Sequence, residues 1–328
     1  MPVLARGRSP DAARDGGATL RRRRLNFLMS TFVSSDMKHG GKHMYKPLLI
    51  GLALAGISLA ASPAAHADDW NKKYTVSGKP AVRVETDDGD IDITTGGGNE
   101  INVHVSTKGY KIGPSDVHVI ESQDGNKLQL VVKAPHGHFG WFSTGGHAIK
   151  VQIQVPGESD LDIHSGDGNV TSTAVSGAIR IDTGDGHITA QGLRGDIHLH
   201  SGDGHIEGSN FDGKLDVDTG DGHITISGRF DSLYLKTGDG SIQASATSGS
   251  KIATPWNLRS GDGSITLRIP DNFAADLDAH TGDGHINLDF PVTVSGSLSE
   301  SRVRGKMNGG GGALEINSGD GSIHIQKL

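Results

Sequence analysis

The chain has 328 residues, is 34% hydrophobic and 5% aromatic, and carries 49 glycines, no cysteine and a formal net charge of −7. So few bulky side chains argue against a conventional large core, and glycine without a three-residue period excludes collagen. The lack of cysteine excludes disulfides, thiolate metal sites and cysteine nucleophiles, leaving a thin, turn-rich and repetitive protein.

Residues 1–43 are basic and weakly patterned, and Met29, Met37 and Met44 each offer a later start, so this stretch is expected to lie upstream of the true start. Residues 44–67 read as a signal peptide. Lys46 follows Met44, residues 48–61 form the apolar stretch, and Ala65-His66-Ala67 is a small-x-small cleavage site before Asp68. That stretch is short for a membrane span, and no later apolar run replaces it. The four arginines at 21–24 resemble a twin-arginine leader, but the apolar run does not follow at once. Residues 1–67 hold 10 Lys+Arg and 3 Asp+Glu, so the mature part has 21 basic and 35 acidic residues and a charge of −14. Such a surface repels nucleic acid and anionic lipid heads. The mature chain is expected to be exported, in the periplasm, the cell envelope or outside the cell, without a membrane span.

Residues 68–79 read as a linker. From 80 to 164 short alternating stretches, such as Ala81-Val82-Arg83-Val84 and Ile101-Asn102-Val103-His104-Val105, indicate irregular β coils or an N-terminal cap. Within them, Phe139, Trp141 and Phe142 form the densest aromatic segment of an aromatic-poor chain. They are expected either to cover the core or to form an interaction loop.

From residue 165 to 328 the tetrapeptide [ST]GDG recurs, with its aspartate at Asp167, Asp185, Asp203, Asp221, Asp239, Asp262, Asp283 and Asp320. The first four intervals are 18 residues each, and an imperfect copy, TDDGDIDI, stands at 86–93. Within one period Ile188 and Ala190 alternate with polar neighbours, as do Ile197 and Leu199, which is the period of half-buried strands. Two short strands cannot bury their dry face alone, so coils are expected to stack. The expected fold is all-β: a parallel β-solenoid of about 18 residues per coil, its N-terminal coils less regular. Residues 298–313, with Arg302, Arg304, Lys306 and a glycine run, read as a flexible insertion, and Lys327 as a charged edge residue. An antiparallel sandwich with GDG closing hairpins is the rival.

In register, the eight aspartates would form an outer row of like charges, expected to stabilise turns. Calcium is the alternative, although Asp203 lies three residues before Ile206, one place off the calcium-roll pattern. The mature part has 14 histidines. His187, His205 and His223 should share one strand face; His198 and His200 should neighbour Asp182, Asp216 and Asp218. Imidazole with carboxylate is a weak candidate metal set, since the spacing follows from the repeat itself. No cofactor is expected. A uniform row also lacks the asymmetric carboxylate pair of a glycosidase, and Ser201 and Thr219 recur without a convincing triad, so no catalytic residues are expected.

The motifs SGDGNV, TGDGHI and SGDGSI, behind a signal peptide and among glycine-rich coils, resemble the bacterial DUF4097 family of candidate adhesins over residues 80–326. The resemblance implies a β-solenoid-like domain in an exported protein and brings no catalytic residues. The expected function is a non-enzymatic structural or interaction module, such as an adhesin, whose partner is a cell-envelope protein or polysaccharide. The alternatives are a divalent-metal-binding periplasmic scaffold using the repeated Asp and His rows, and a polysaccharide-binding or polysaccharide-active solenoid.

Overall fold

The structure is a computed structural model and describes residues 67–134, 147–294 and 299–328. Residues 44–66 of the signal segment lie outside the described residues, as do Phe139, Trp141 and Phe142. Among the described residues no helix is long and apolar enough to cross a membrane.

Strands form where the alternation indicated. In Ser176–Thr183, Ile179 and Ile181 are buried while Arg180 and Asp182 point outward. This strand pairs in parallel with Arg194–Ser201, placing Ile179 beside Ile197 and Ile181 beside Leu199, an offset of 18 residues. The next ladder continues with Ile197 beside Leu215 and Leu199 beside Val217. Across the interior, Ile188, Ile206, Ile224 and Ile242 lie side by side and are fully buried. Parallel strands in register convert each chemically similar position into a column, so isoleucine packs on isoleucine along the sheet.

The expected clean parallel β-solenoid is not what the chain adopts. Among the described residues the 23 strands belong to one sheet of mixed topology, nearly closed and barrel-shaped. Antiparallel pairs occupy both ends. Ala67–Thr75 lies against Glu100–Lys108, which lies against Ala148–Pro156, and His118–Asp124 pairs with Lys127–Lys133. At the other end, Arg302–Met307 runs antiparallel to both Ala275–Thr281 and Val292–Val294. The 68–79 segment is thus largely strand rather than linker, and 302–307 is strand rather than flexible excursion. A parallel ladder ends in a row of unpaired N–H and C=O groups, and these strands occupy such edges. The first of the turns is local: Gly125 has φ 58° between the strands of the 118–133 hairpin, a conformation costly for other residues.

Sequence order and spatial order also part company. Ala81–Thr86 sits between Lys127–Lys133 and Asp160–Ser165, so the first coil is inserted into the sheet. Likewise Gly312–Ser318 sits between Trp256–Ser260 and Ala275–Thr281, and Ile323–Lys327 between Ile265–Ile269 and Ile286–Leu288. The last coil in sequence is therefore an interior coil in space, and Lys327 does not mark the ladder's edge. The repeat permits this because its turns are interchangeable. Ser318 donates to the Gly263 carbonyl at 3.0 Å, and Thr281 donates to that of Gly321 at 2.7 Å, as if the three coils were consecutive.

Candidate interaction surface

The repeated turn works through its hydroxyl and glycines. Ser201 is fully buried; its Oγ accepts from the Gly204 N–H at 2.9 Å and donates to the Gly186 carbonyl of the preceding coil at 2.8 Å. Thr183, Thr219, Thr237 and Ser260 make the same bond to the coil before them, at 2.8 to 2.9 Å. A Cβ on Gly204 would lie 2.0 Å from the Gly186 carbonyl oxygen, so close backbone approach, not positive φ, demands glycine there. The second turn differs. Gly195 and Gly213 have φ 114° and 134°, and the left-handed position before it is filled by Ala174, Gly192 and Asn210 at φ 59°, 69° and 58°.

The eight turn aspartates, Asp167 to Asp320, are all exposed, and among the described residues their carboxylates make no hydrogen bond or ion pair with the protein. The Asp203 carboxylate lies beside the turn of the following coil, where a Cβ on Gly220 would be 2.8 Å from its Oδ1. At the start of this row, partial desolvation and then the Asp167 and Asp87 charges hold the Asp88 carboxyl above its ordinary range.

One residue past each GDG, a second device runs along the stack. The side chain of one coil accepts the backbone N–H of the equivalent residue in the next. Asp90 accepts from Asn169, and Asn169 from His187, each at 2.9 Å. The Nδ1 of His187 then accepts from His205, that of His205 from His223, and that of His223 from Ser241, at 2.9 to 3.0 Å. The three rings stack with centroids 5.0 Å apart. An Nδ1 that accepts an N–H carries no proton, so the proton sits on Nε2. The row therefore presents N–H donors outward, and its imidazoles have no lone pair free for a cation.

His164, His198 and His200 lie on a charged face. Its two outward columns run Arg83, Asp162, Arg180, His198, Asp216 and Glu85, His164, Asp182, His200, Asp218. Exact repetition would place like charges side by side; here the signs largely alternate. Arg83 bonds Asp162 at 2.9 Å, Arg180 Nε lies 2.8 Å from Asp182, and His198 Nδ1 lies 3.4 Å from Asp216. The hydrogen bond to Asp216, opposed by desolvation, raises the His198 pKa. His200 lies 3.7 Å from Asp218. Asp162, His164 and Asp182 each bring one ligand atom within 4.8 Å of the others. This trio differs from the set expected from sequence, of which only Asp182 belongs to it. Arg83 and Arg180 already neutralise its carboxylates, which opposes a further cation.

The sheet surface formed by Thr189, Gln191, Glu207, Ser209, Thr225, Ser227, Gln243, Ser245 and Arg268 is different again. It is an open groove of about 430 Å³ whose outward side chains are hydroxyls and amides with one carboxylate and one guanidinium, over a floor that includes Ala190, Gly208 and Ile226. Sequence reading missed it, because an outward Thr or Ser carries no motif. The signal was present in the strand alternation, but only register shows that these residues share one surface.

Solved structures covering most of the chain at low identity include a candidate adhesin from Bacteroides fragilis, at 13% identity and TM-score 0.40 over 79% of this chain and 97% of that one. A candidate lipid-binding protein from Parabacteroides distasonis has 12% identity and TM-score 0.41, over 80% and 98% of the two chains. A candidate cell adhesion protein from Clostridium sporogenes has 14% identity and TM-score 0.28, over 79% and 100%. These descriptions are of adhesion and lipid binding rather than of enzymes. No curated protein matches the chain significantly. Residues 80–326 match the Toastrack DUF4097 model, and the chain belongs to that family.

Proposed function

We propose that this protein is an exported, non-catalytic interaction module that presents the faces of its sheet to a component of the cell envelope. The observation that carries the reading is where the repeat spends its reactive groups. The Ser201 and Thr219 hydroxyls that would serve as nucleophiles are buried and held by backbone: both donate to a carbonyl of the preceding coil, and Ser201 also accepts an N–H. The turn carboxylates are exposed and equivalent, without the paired, unlike environments that acid–base chemistry requires. What remains accessible is a rigid lattice of polar side chains in register, suited to recognition over an area. The acidic mature composition excludes neither protein nor polysaccharide partners and disfavours anionic polymers.

The test is fractionation of the native cells combined with recovery of the protein from the envelope together with whatever it holds. Recovery of the mature chain in the envelope or outside the cell, bound to a defined component, supports the reading. Confinement to the cytoplasm, or turnover of a substrate abolished by changing one acidic residue, removes it.

A further inference from the structure

The groove across the second face carries hydrogen-bonding groups that the fold does not use. Among the described residues the side chains of Thr189, Gln191, Ser209, Thr225, Ser227 and Gln243 make no hydrogen bond or ion pair within the protein. On the charged face, in contrast, side chains bond along and across the columns, Arg83 with Asp162, His198 with Asp216 and Arg180 with Asp182. The unused groups are ordered. Thr189 lies beside Glu207, Glu207 beside Thr225 and Thr225 beside Gln243, while Gln191 lies beside Ser209 and Ser227 beside Ser245. A linear molecule laid across the strands therefore meets a fresh polar group at each coil along the row Thr189, Glu207, Thr225 and Gln243, about 4.8 Å apart, while the register shift after Gly208 interrupts the neighbouring row at Ser209.

We infer that this groove binds a neutral polysaccharide chain, an assignment that rests on the interaction-module reading and names its ligand. Hydroxyls and amides both donate and accept, which suits a ligand whose own groups are hydroxyls repeated at regular intervals. Charge selects against the competitors. Glu207 and Arg268 are the charged residues of the lining, and their charges are opposite, so a charged polymer finds no row of counter-ions. An extended peptide gains its affinity from main-chain bonds at a free strand edge, and here every strand across the groove is paired on both sides. The lining stands on paired strands, so little ordering is lost on binding.

The experiment is native electrophoresis of the full mature chain through gels containing dextran, laminarin or mannan, with alginate as the anionic control. At least one neutral polymer is expected to retard the protein, and alginate is expected not to. Replacing both amides, Gln191→Ala with Gln243→Ala, should weaken the retardation about tenfold, the size of one or two net hydrogen bonds. The melting temperature should not move, because neither side chain bonds within the fold. Free migration through all three neutral polymers overturns the assignment, as does equal retardation by alginate, or by wild type and variant alike. If the polymers fail while the cell envelope still retains both chains, the groove assignment falls and the broader function stands.

Discussion

At the scale of single residues, the turn separates two side chains that the sequence makes look equally important. Ser201 bridges its own coil and the preceding one from a buried site, whereas Asp203 sits in solvent without a partner. Ser201→Ala leaves a buried amide and a buried carbonyl unmet and is expected to cost about 1–3 kcal/mol. Asp203→Asn should change stability by less than about 0.5 kcal/mol. Paired denaturation curves check both, and a larger loss at Asp203 would restore the aspartate as the turn's anchor. Gly204→Ala should fail to fold, since its Cβ would enter the Gly186 carbonyl. Ala174→Gly should raise stability by about 0.5–1 kcal/mol, because Ala174 holds a left-handed conformation that its neighbour in the next coil assigns to Gly192. The repetition of [ST]GDG made the turn legible. The division of labour inside it was not, because a hydroxyl's burial depends on the coil lying above it.

At the scale of the strand, the two sets of histidines play different parts. In the column His187, His205 and His223, each Nδ1 holds a backbone N–H of the next coil, so the ring joins the ladder as an acceptor. His198 instead faces a carboxylate. Its pKa is raised in the fold by the hydrogen bond to Asp216, so its contribution is full below the unfolded-chain value and is lost as pH rises through the folded one. Replacing the three column histidines by asparagine keeps an acceptor, as Asn169 already shows. That variant should melt like wild type, whereas alanine at the same three positions leaves the N–H groups without their acceptor and should lower the melting temperature. Asp216→Asn should remove the His198 contribution, seen as a lower melting temperature on the acid side alone. Alternation in the sequence placed these histidines outward, but the acceptor role of Nδ1 depends on ring orientation against the next coil. Sequence spacing carries no record of that.

For the molecule as a whole, the strands and their 18-residue offset were legible because alternation and repeat length are local properties. The mixed sheet was not. Identical turns fit over one another whatever their order, so the repeat could not reveal that Gly312–Ser318 enters between Trp256–Ser260 and Ala275–Thr281. Nor could it reveal the antiparallel strands at the two ends, whose sequences carry no GDG. Deleting residues 313–328 should therefore do more than trim an edge. It withdraws Leu314, Ile316, Ile323 and Ile325 from the middle of the core and parts the strands on either side. Loss of cooperative unfolding over residues 256–294, followed by hydrogen exchange, is the expected result; protection equal to that of the intact chain would show that the insertion is dispensable.

The inserted final coil also bears on how the chain comes to be folded. Synthesis delivers Trp256–Ser260, Ile265–Ile269, Ala275–Thr281 and Ile286–Leu288 before the strands that lie between them, so these segments first exist with their shared partner missing. Their ladder closes only once Gly312–Ser318 and Ile323–Lys327 have been made.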